Sequence, residues 1–208
     1  MIEIYTGVPG SGKSAHAAAD IREILNAPRR DQPVIANFEL SKDAPVLKPE
    51  NFTYIPNEEL TAKWLIHYAN DFWTSGKHRF QEDYIKVYLD EAQIIWNSRR
   101  WSDKSRYSFL EFLSQSRKVG MHIIMIAQNL KMIDNQFRML VEVECNHRRI
   151  RSMGPVGALA AAPFGGKLFM NVRYLVQGNE RLNMEIRHYS KKDFAMYDSY
   201  ATFKRLEE

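Results

Sequence analysis

The sequence predicts an α/β protein with a mainly parallel β-sheet flanked by helices, plus a small C-terminal appendage of a β-hairpin and a helix. From residue 1 to residue 145, strand-like apolar segments alternate with helix-like amphipathic segments, an order typical of a parallel sheet with crossover helices. Residues 122–127 are nearly all apolar, as in a strand covered on both faces. A glycine-rich turn at residues 7–12 separates the first strand from the first helix.

The first elements follow in the order strand, turn, helix and strand. Residues 2–6 alternate apolar and polar side chains and predict a strand, whereas residues 13–26 repeat apolar side chains every three or four positions and predict a helix. Pro28 ends that helix, and residues 33–38 predict the second strand. Residues 41–56 contain three prolines and predict a loop.

The middle of the chain continues this alternation. Asn57 is a suitable N-cap for a helix that runs to about Phe72. The further predictions are a strand at 85–89, an irregular basic segment at 94–105, a helix at 108–118, and strands at 122–127 and 140–145.

After residue 151 glycine and proline become frequent, and the character of the chain changes. We predict a core at residues 1–151 and an appendage at 152–208 that packs on the core, because so short a segment buries little apolar surface alone. Within it, residues 168–176 and 183–189 predict a strand pair, and residues 193–200 predict a terminal helix.

Composition limits the classes of protein that this chain resembles. Its 208 residues have a formal net charge of +4, and residues 99–118 account for that excess with six basic and two acidic residues. The single Cys145 excludes an internal disulfide and a cysteine-based metal cluster, and its apolar neighbours predict a small buried side chain. Without a secretion-type leader or an apolar run near the roughly 18 residues of a membrane span, we expect a soluble, cytoplasmic domain.

Residues 7–14, GVPGSGKS, satisfy the phosphate-loop pattern G-x-x-x-x-G-K-[ST] between a strand and a helix. Backbone N–H groups of such a loop wrap phosphate oxygens at a helix N-terminus, and the glycines allow the close approach. We expect Lys13 to reach the β- and γ-phosphates of ATP, and the Ser14 hydroxyl to ligate Mg²⁺. The predicted nucleotide-binding residues are Gly7, Pro9, Gly10, Ser11, Gly12, Lys13, Ser14 and Ala15.

Two acidic residues follow the strand at 85–89 and predict the rest of the hydrolytic site. Asp90 is placed to hold Mg²⁺ together with Ser14, and Glu91 to act as general base on the attacking water. This assignment depends on the phosphate loop, because an apolar run that ends in Asp-Glu is commonplace by itself.

Three polar side chains complete the predicted machinery. Gln128 ends the strand at 122–127, and carboxyl ends of parallel strands line the ligand crevice, so we expect it near the γ-phosphate. Arg117 and Arg138 are candidates for an arginine that a neighbouring subunit supplies to the transferring phosphoryl group. A solvated basic helix end is the alternative for both.

The sequence excludes some classes of nucleotide-binding protein and leaves others open. A GTPase is disfavoured because Asp90 is followed by Glu91, Ala92 and Gln93 rather than by a pattern with glycine, and no guanine-reading Asn-Lys-x-Asp segment is present. A helicase with two motor domains would need a longer chain. A ring-forming ATPase with one core is favoured, while a small-molecule phosphotransferase and a nucleotide-gated binding module remain alternatives.

Several segments of the chain resemble the zonula occludens toxin (Zot) family of filamentous phage assembly proteins. They are residues 7–14, 87–93, 116–129, 133–142 and the closing 195–204. The resemblance covers essentially the whole chain. It implies a P-loop NTPase fold and the roles given above for Lys13, Ser14, Asp90, Glu91 and Gln128, and it favours Arg117 as the residue supplied in trans.

The resemblance also implies a cellular setting. Members of the family have a cytoplasmic ATPase domain, one transmembrane helix and a periplasmic tail, and this chain ends where the helix is expected. It therefore implies a ring-forming homo-oligomer at the cytoplasmic face of the bacterial inner membrane, working with other phage assembly and coat proteins. The toxin activity belongs to the part beyond this chain.

The basic residues 99–118 are interleaved with Trp96, Trp101, Tyr107 and Phe109. Arginine and aromatic side chains together can bind phosphates and stack on exposed bases, so this stretch is a candidate contact for phage single-stranded DNA. A subunit interface or a solvated helix face is the alternative.

Overall fold

The computed structural model describes residues 1–95 and 103–196, and the side chains of the same residues except 103–105. Eight strands in this part form one sheet, in the order β3-β2-β4-β5-β1-β6-β7-β8. The strands are β1 (Ile2–Thr6), β2 (Val34–Ala36), β3 (Phe52–Tyr54), β4 (Ile85–Leu89), β5 (Met121–Ile126), β6 (Val143–Arg149), β7 (Leu168–Leu175) and β8 (Glu180–His188).

The helices lie on both faces of this sheet. They are α1 (Lys13–Leu25), α2 (Ala62–Thr74), α3 (Ala92–Ile95), α4 (Asp103–Gln115), α5 (Asn135–Arg138), α6 (Gly154–Ala161) and α7 (Lys191–Phe194). Single 3₁₀ turns lie at Pro49–Asn51, Ser116–Val119, Leu130–Met132, Ile150–Ser152 and Ala162–Phe164. Among the described helices, none is both long enough and apolar enough to cross a membrane.

Strands β1 to β6 pair in parallel, whereas β7 and β8 are antiparallel additions to the same sheet. The predicted α/β class with a mainly parallel sheet is therefore confirmed. The predicted C-terminal hairpin is present as β7 and β8, and it extends the sheet beyond β6.

Alternation along the strands gives the sheet two apolar faces. In β1, Ile4 packs with α2 and α4 on one face, while its neighbour Tyr5 packs with α1 on the other. In β5, Ile123 and Ile124 divide in the same way and are both almost fully buried. Each such side chain contributes about 1.5–3 kcal/mol of burial free energy, so the faces fix the register of the strands.

Two predictions in the first half were wrong. The helix α2 begins after Thr61, whose hydroxyl accepts from the Trp64 N–H at 3.1 Å, and not after Asn57, whose side chain bonds Asn37 instead. The predicted loop at 41–56 contains β3, which pairs in parallel with β2 at the edge of the sheet. Three residues between prolines are too few for alternation to reveal a strand.

The second half differs mainly at element ends. Helix α4 starts at Asp103, five residues before the predicted start, and Ser116–Val119 is a 3₁₀ turn rather than its last turn. Strand β6 runs on to Arg149 because it pairs with both β1 and β7. A helix, α6, forms in the alanine-rich stretch between glycines, and the last residues of the predicted helix at 193–200 lie outside the described residues.

Candidate nucleotide-binding site

The turn between β1 and α1 has a shape that only glycine allows. Gly12 is the N-cap of α1 with φ of 100°, and a Cβ atom there would lie 2.5 Å from the Phe169 ring. Gly7 has φ of +143°, and its Cβ would meet the His147 carbonyl oxygen at 2.5 Å. No side chain caps the N-terminus of α1, so its first N–H groups are left for another acceptor.

A cavity of about 430 Å³ lies beside this turn at the carboxyl edge of the sheet. It brings together side chains that follow β1, β4 and β5 in the chain, as parallel strands require. Of the predicted site residues, it is lined by Pro9, Gly10, Gly12, Lys13, Ser14, Ala15, Asp90, Glu91 and Gln128.

The Lys13 ammonium lies between the turn and the two acids. It donates to the Gly7 carbonyl at 2.8 Å and to the Val8 carbonyl at 3.3 Å. Burial lowers the pKa of Lys13, against the attraction of Asp90 and Glu91, which acts to raise it. Among the described residues that line the cavity, Lys13 is the cationic one.

Asp90 is positioned by a residue that the sequence analysis missed. The Asn37 side chain accepts from the Asp90 N–H at 2.7 Å and donates to the Asp90 carbonyl at 2.9 Å. The same Asn37 amide donates to Asn57 at 2.8 Å. Asn37 directly follows β2, the neighbour of β4, so the signal was a polar residue at the end of an adjacent strand.

Glu91 has a backbone conformation that is rare outside glycine. Its φ is 51°, and its N–H donates to the Asp90 carboxylate at 2.8 Å. The exposed Glu91 carboxylate accepts from the Gln93 amide. Such conformations cost about 1–3 kcal/mol and often lie at functional sites.

Gln128 connects β5 to the turn. Its carbonyl accepts from the Gly7 N–H at 3.1 Å, while its side chain is exposed at the cavity. The structure therefore places Gln128 with Lys13, Asp90 and Glu91.

Arg117 lies at the amino ends of the parallel strands, opposite the cavity. It precedes β5, is half-exposed and pairs with Glu142, whose carboxylate also accepts from the Ile2 N–H at the start of β1. A strand rises about 3.3 Å per residue, so the six residues of β5 separate Arg117 from the cavity of its own chain by roughly 20 Å. Arg138 bonds the neighbouring Asn135 at 2.6 Å and does not line the cavity.

Residues near the C-terminus form a wall of the cavity that the sequence analysis did not predict. Phe169 of β7, together with Asp193 and Phe194 of α7, lines it. Burial acts to raise the pKa of Asp193, but hydrogen bonds from Ser190 and Arg22 hold it below its ordinary value. These contacts join segments far apart in the sequence, which is why no local pattern reveals them.

A buried histidine pair lies behind the turn. His16 Nδ1 of α1 is 2.7 Å from His147 Nε2 of β6, and Cys145 Sγ lies 3.9 Å from the same Nε2. Burial lowers the pKa of each histidine to about 3 and raises that of Cys145 to about 12, so the three side chains are neutral. Cys145 is fully buried, as its apolar neighbours predicted.

Part of the basic and aromatic stretch lies outside the described side chains, namely Trp96, Arg99, Arg100, Trp101 and Lys104. In the described part of α4, Arg106 pairs with Asp134 at 2.7 Å and Phe109 is buried, whereas Tyr107 is exposed.

The sequence matches the family described as Zonular occludens toxin (Zot) over residues 1–204. The chain belongs to the Zot family. Its relatives include the Gene 1 protein of Enterobacteria phage fd, 24% identical over 213 residues that cover 97% of this chain and 59% of the relative. The Gene 1 protein of Enterobacteria phage I2-2 is 35% identical over 85 residues, 39% of this chain and 23% of the relative. The Zot-family chain thus matches less than two thirds of the length of these relatives.

Two solved structures share the fold. The N-terminal domain of zonular occludens toxin from Neisseria meningitidis matches with a TM-score of 0.58 and 18% identity, over 95% of this chain and 98% of that one. B204, the DNA-packaging ATPase from Sulfolobus Turreted Icosahedral Virus, matches with a TM-score of 0.52 and 14% identity, over 89% of this chain and 96% of that one. The Zot-family chain therefore shares its α/β fold with both proteins.

Proposed function

We propose that this Zot-family chain binds ATP with Mg²⁺ and hydrolyses it, as the motor domain of a membrane-anchored phage assembly and extrusion protein. The observation that carries the enzymatic part is the single cavity lined by the glycine-rich turn, Lys13, Asp90, Glu91 and Gln128. A phosphate cradle, an acidic pair and a polar amide face the same volume there.

The phosphates would bind at the N-terminus of α1. The backbone N–H groups of residues 10–14 and the positive end of the helix dipole attract anions. The Lys13 ammonium, which donates to the carbonyls of Gly7 and Val8, has only to turn toward the β- and γ-phosphates. Ala15 lines the cavity, whereas Ser11 is buried and, like Gly7, does not line it.

The donor set in the cavity fits Mg²⁺. The Ser14 hydroxyl and the Asp90 carboxylate supply oxygen ligands, which this hard cation prefers. When bound, Mg²⁺ would neutralise charge on the phosphate oxygens. Asn37 would hold the Asp90 backbone in place through its two hydrogen bonds.

Glu91 would act as general base. Its carboxylate takes a proton from a water molecule as the water oxygen bonds to the γ-phosphorus and the bond to the bridging β–γ oxygen breaks. The Gln128 amide would orient that water, since both side chains are exposed at the same cavity. The left-handed backbone at Glu91 fixes the direction of its side chain.

The test combines Lys13→Ala and Glu91→Gln in calorimetry and turnover assays. We expect Lys13→Ala to abolish binding of ATP, and Glu91→Gln to bind ATP as the unmodified protein does but to lose turnover by 100-fold or more, on the order expected for a general base. Lys77→Ala and Glu50→Gln, both exposed positions away from the cavity, are the matched controls. Full turnover in Glu91→Gln would reject the assigned base.

The same assay separates hydrolysis from phosphoryl transfer. ATP turnover without an added acceptor supports the ATPase, whereas turnover only with an added metabolite supports a phosphotransferase. Binding without any turnover in the assembled protein supports a nucleotide-gated binding module.

The assembly role draws its support from the family and from the Gene 1 relatives of phages fd and I2-2. We propose a ring of identical subunits at the cytoplasmic face of the inner membrane, in contact with other assembly and coat proteins. Host cells that make the full-length gene product with Lys13→Ala should keep the protein in the inner-membrane fraction but release no phage particles. Normal particle release from this variant would contradict the motor role.

Contact with phage single-stranded DNA is part of the proposal. The exposed Tyr107 and the basic residues Arg99 and Arg100 would bind bases and phosphates. The double variant Arg99→Ala/Arg100→Ala should weaken binding of a single-stranded oligonucleotide and reduce its dependence on salt. Unchanged affinity would reject this contact and leave a subunit interface or a solvated helix face.

A further inference from the structure

The cavity runs along the carboxyl edge of the sheet and differs in character at its two ends. The acidic end follows β4, where Asp90 and Glu91 lie. The aromatic end lies at β7, which is four strands away in the sheet order β4-β5-β1-β6-β7. At about 4.8 Å between neighbouring strands, the two ends are roughly 19 Å apart.

Two phenylalanines line the aromatic end, and they are not equivalent. Phe169 is 4% exposed and packs against Gly12 and, at 5.2 Å between ring centroids, against Tyr189. Phe194 is 42% exposed although it lines the cavity, and the Lys167 ammonium lies 4.9 Å from its ring centroid. Phe169 is part of the core, whereas Phe194 keeps ring surface accessible.

The segment that presents Phe194 is anchored on both sides. Before it, Ser190 and Asp193 form a reciprocal capping box, and Asp193 pairs with Arg22 of α1 at 2.6 Å. After it, Met196 is fully buried and its carbonyl accepts from the Ser41 N–H at 2.8 Å. The exposed ring is therefore held in place beside the first turn of α1.

We propose that Phe194 stacks on the nucleobase of the bound triphosphate. This inference rests on the proposed nucleotide binding and identifies the part of the site that holds the base. With the phosphates on the turn and the γ-phosphate toward Asp90, the nucleoside extends toward β7, where the ring of Phe194 offers a flat apolar surface. The Lys167 ammonium lies over the same ring and adds positive charge beside it.

The composition of this end defines the class of base. Beyond the phosphate turn and the ends of β4 and β5, the described lining of the cavity consists of Ala15, Ala18, Phe169, Asp193 and Phe194. The two carboxylate oxygens of Asp193 are engaged by Arg22 and Ser190. Stacking accepts any flat base and is stronger for a purine. The site thus takes purine nucleoside triphosphates with little discrimination between adenine and guanine.

The test compares ATP, GTP and inorganic tripolyphosphate by calorimetry on the full chain with Mg²⁺. We expect ATP and GTP to bind the unmodified protein within about threefold of each other, and Phe194→Ala to weaken both by about tenfold, as stacking on one aromatic ring predicts. Tripolyphosphate, which has no base, should bind both proteins equally. The variant Phe194→Trp should bind ATP with unchanged affinity, and the fluorescence of the introduced indole should change when ATP binds.

Phe164→Ala is the matched control, because Phe164 is 44% exposed but does not line the cavity. Equal weakening of tripolyphosphate and ATP in Phe194→Ala, or no weakening of either, would overturn the stacking role. If the affinities for ATP and GTP differ by tenfold or more, the inference that the site binds purine nucleoside triphosphates with little discrimination is wrong. An unmodified protein that binds none of the three would overturn the proposed function itself, and this inference with it.

Discussion

The two edges of the parallel strands are built in different ways. At the carboxyl edge, one cavity lies beside a turn whose glycines have positive φ. It is also lined by Glu91, whose backbone is left-handed, and by Asp90, whose backbone is hydrogen-bonded to Asn37. At the amino edge, charged groups are paired near the surface, as Arg117 is with Glu142 and the N-terminal amine is with Asp83. In the proposed function, the first edge would bind and activate a triphosphate. The second carries Arg117, which does not line the cavity of its own chain.

This difference indicates how the subunits of a ring would cooperate. An arginine that lies roughly 20 Å from its own site contributes to hydrolysis only if the amino edge of one subunit meets the carboxyl edge of the next. Exposed pairs such as Arg117 with Glu142 stabilise a fold by only about 0–1 kcal/mol, so the side chain is easily released to a neighbour.

The largest effect is expected from Arg117→Ala. Loss of an arginine supplied in trans should lower ATP turnover by about 1000-fold without changing the affinity for ATP. Lys118→Ala, its exposed neighbour, is the control. The sharper measurement mixes Arg117→Ala with Glu91→Gln, because a subunit with an intact Glu91 then receives Arg117 from its partner. If mixing restores no turnover, the two edges do not meet in the active assembly.

The next largest effect is expected from Gly12→Ala, which tests whether the turn before α1 requires glycine at this position. A Cβ atom at a φ of +100° and 2.5 Å from Phe169 should lower the free energy of unfolding by about 2–4 kcal/mol. Gly76→Ala, at a φ of +72° with open space around it, should cost only about 1 kcal/mol. Chemical denaturation of both variants gives the comparison, and equal losses would show that the contact with Phe169 is unimportant.

The sequence predicted the carboxyl edge better than its surroundings. The phosphate loop, Asp90, Glu91 and Gln128 could be located because each lies at the end of an apolar strand, and parallel strands bring such ends together. Asn37 also ends an apolar strand, but its contact with Asp90 depends on β2 lying beside β4. Phe194 could not be located, because its position depends on which segments become neighbours after folding. The short strand β3 and the start of α2 were missed for a related reason: local propensity there is weaker than the contacts made in the folded chain.

The buried histidine pair predicts how acid affects the carboxyl edge. His16 and His147 have pKa values of about 3 in the folded protein, because of burial, against an ordinary value of 6.5. The unfolded chain therefore binds more protons between pH 3 and pH 6.5, and stability falls as the pH drops through that window. We expect the pair to cost about 3 kcal/mol between pH 6.5 and pH 5.

Unfolding free energies measured across this range should fall less steeply in the double variant His16→Gln/His147→Gln. His67→Gln, on the exposed face of α2, should keep the original slope. An unchanged slope in the double variant would mean that other groups control the acid sensitivity.

The smallest effect is expected from Asn37→Ala, which separates the positioning of Asp90 from its chemistry. Loss of the two hydrogen bonds to the Asp90 backbone, at 2.7 and 2.9 Å, should cost about 1–2 kcal/mol. Because Asp90 is the proposed ligand, this cost should appear as a rise of about five- to thirtyfold in the Mg²⁺ concentration for half-maximal turnover. Asn57→Ala removes only the contact to Asn37 itself and should change this concentration by less than about twofold. The contrary result is a fall in turnover at saturating Mg²⁺ with no change in the half-maximal Mg²⁺ concentration. It would place Asn37 outside the cation site, and its hydrogen bonds to Asp90 would then stabilise only the end of β4.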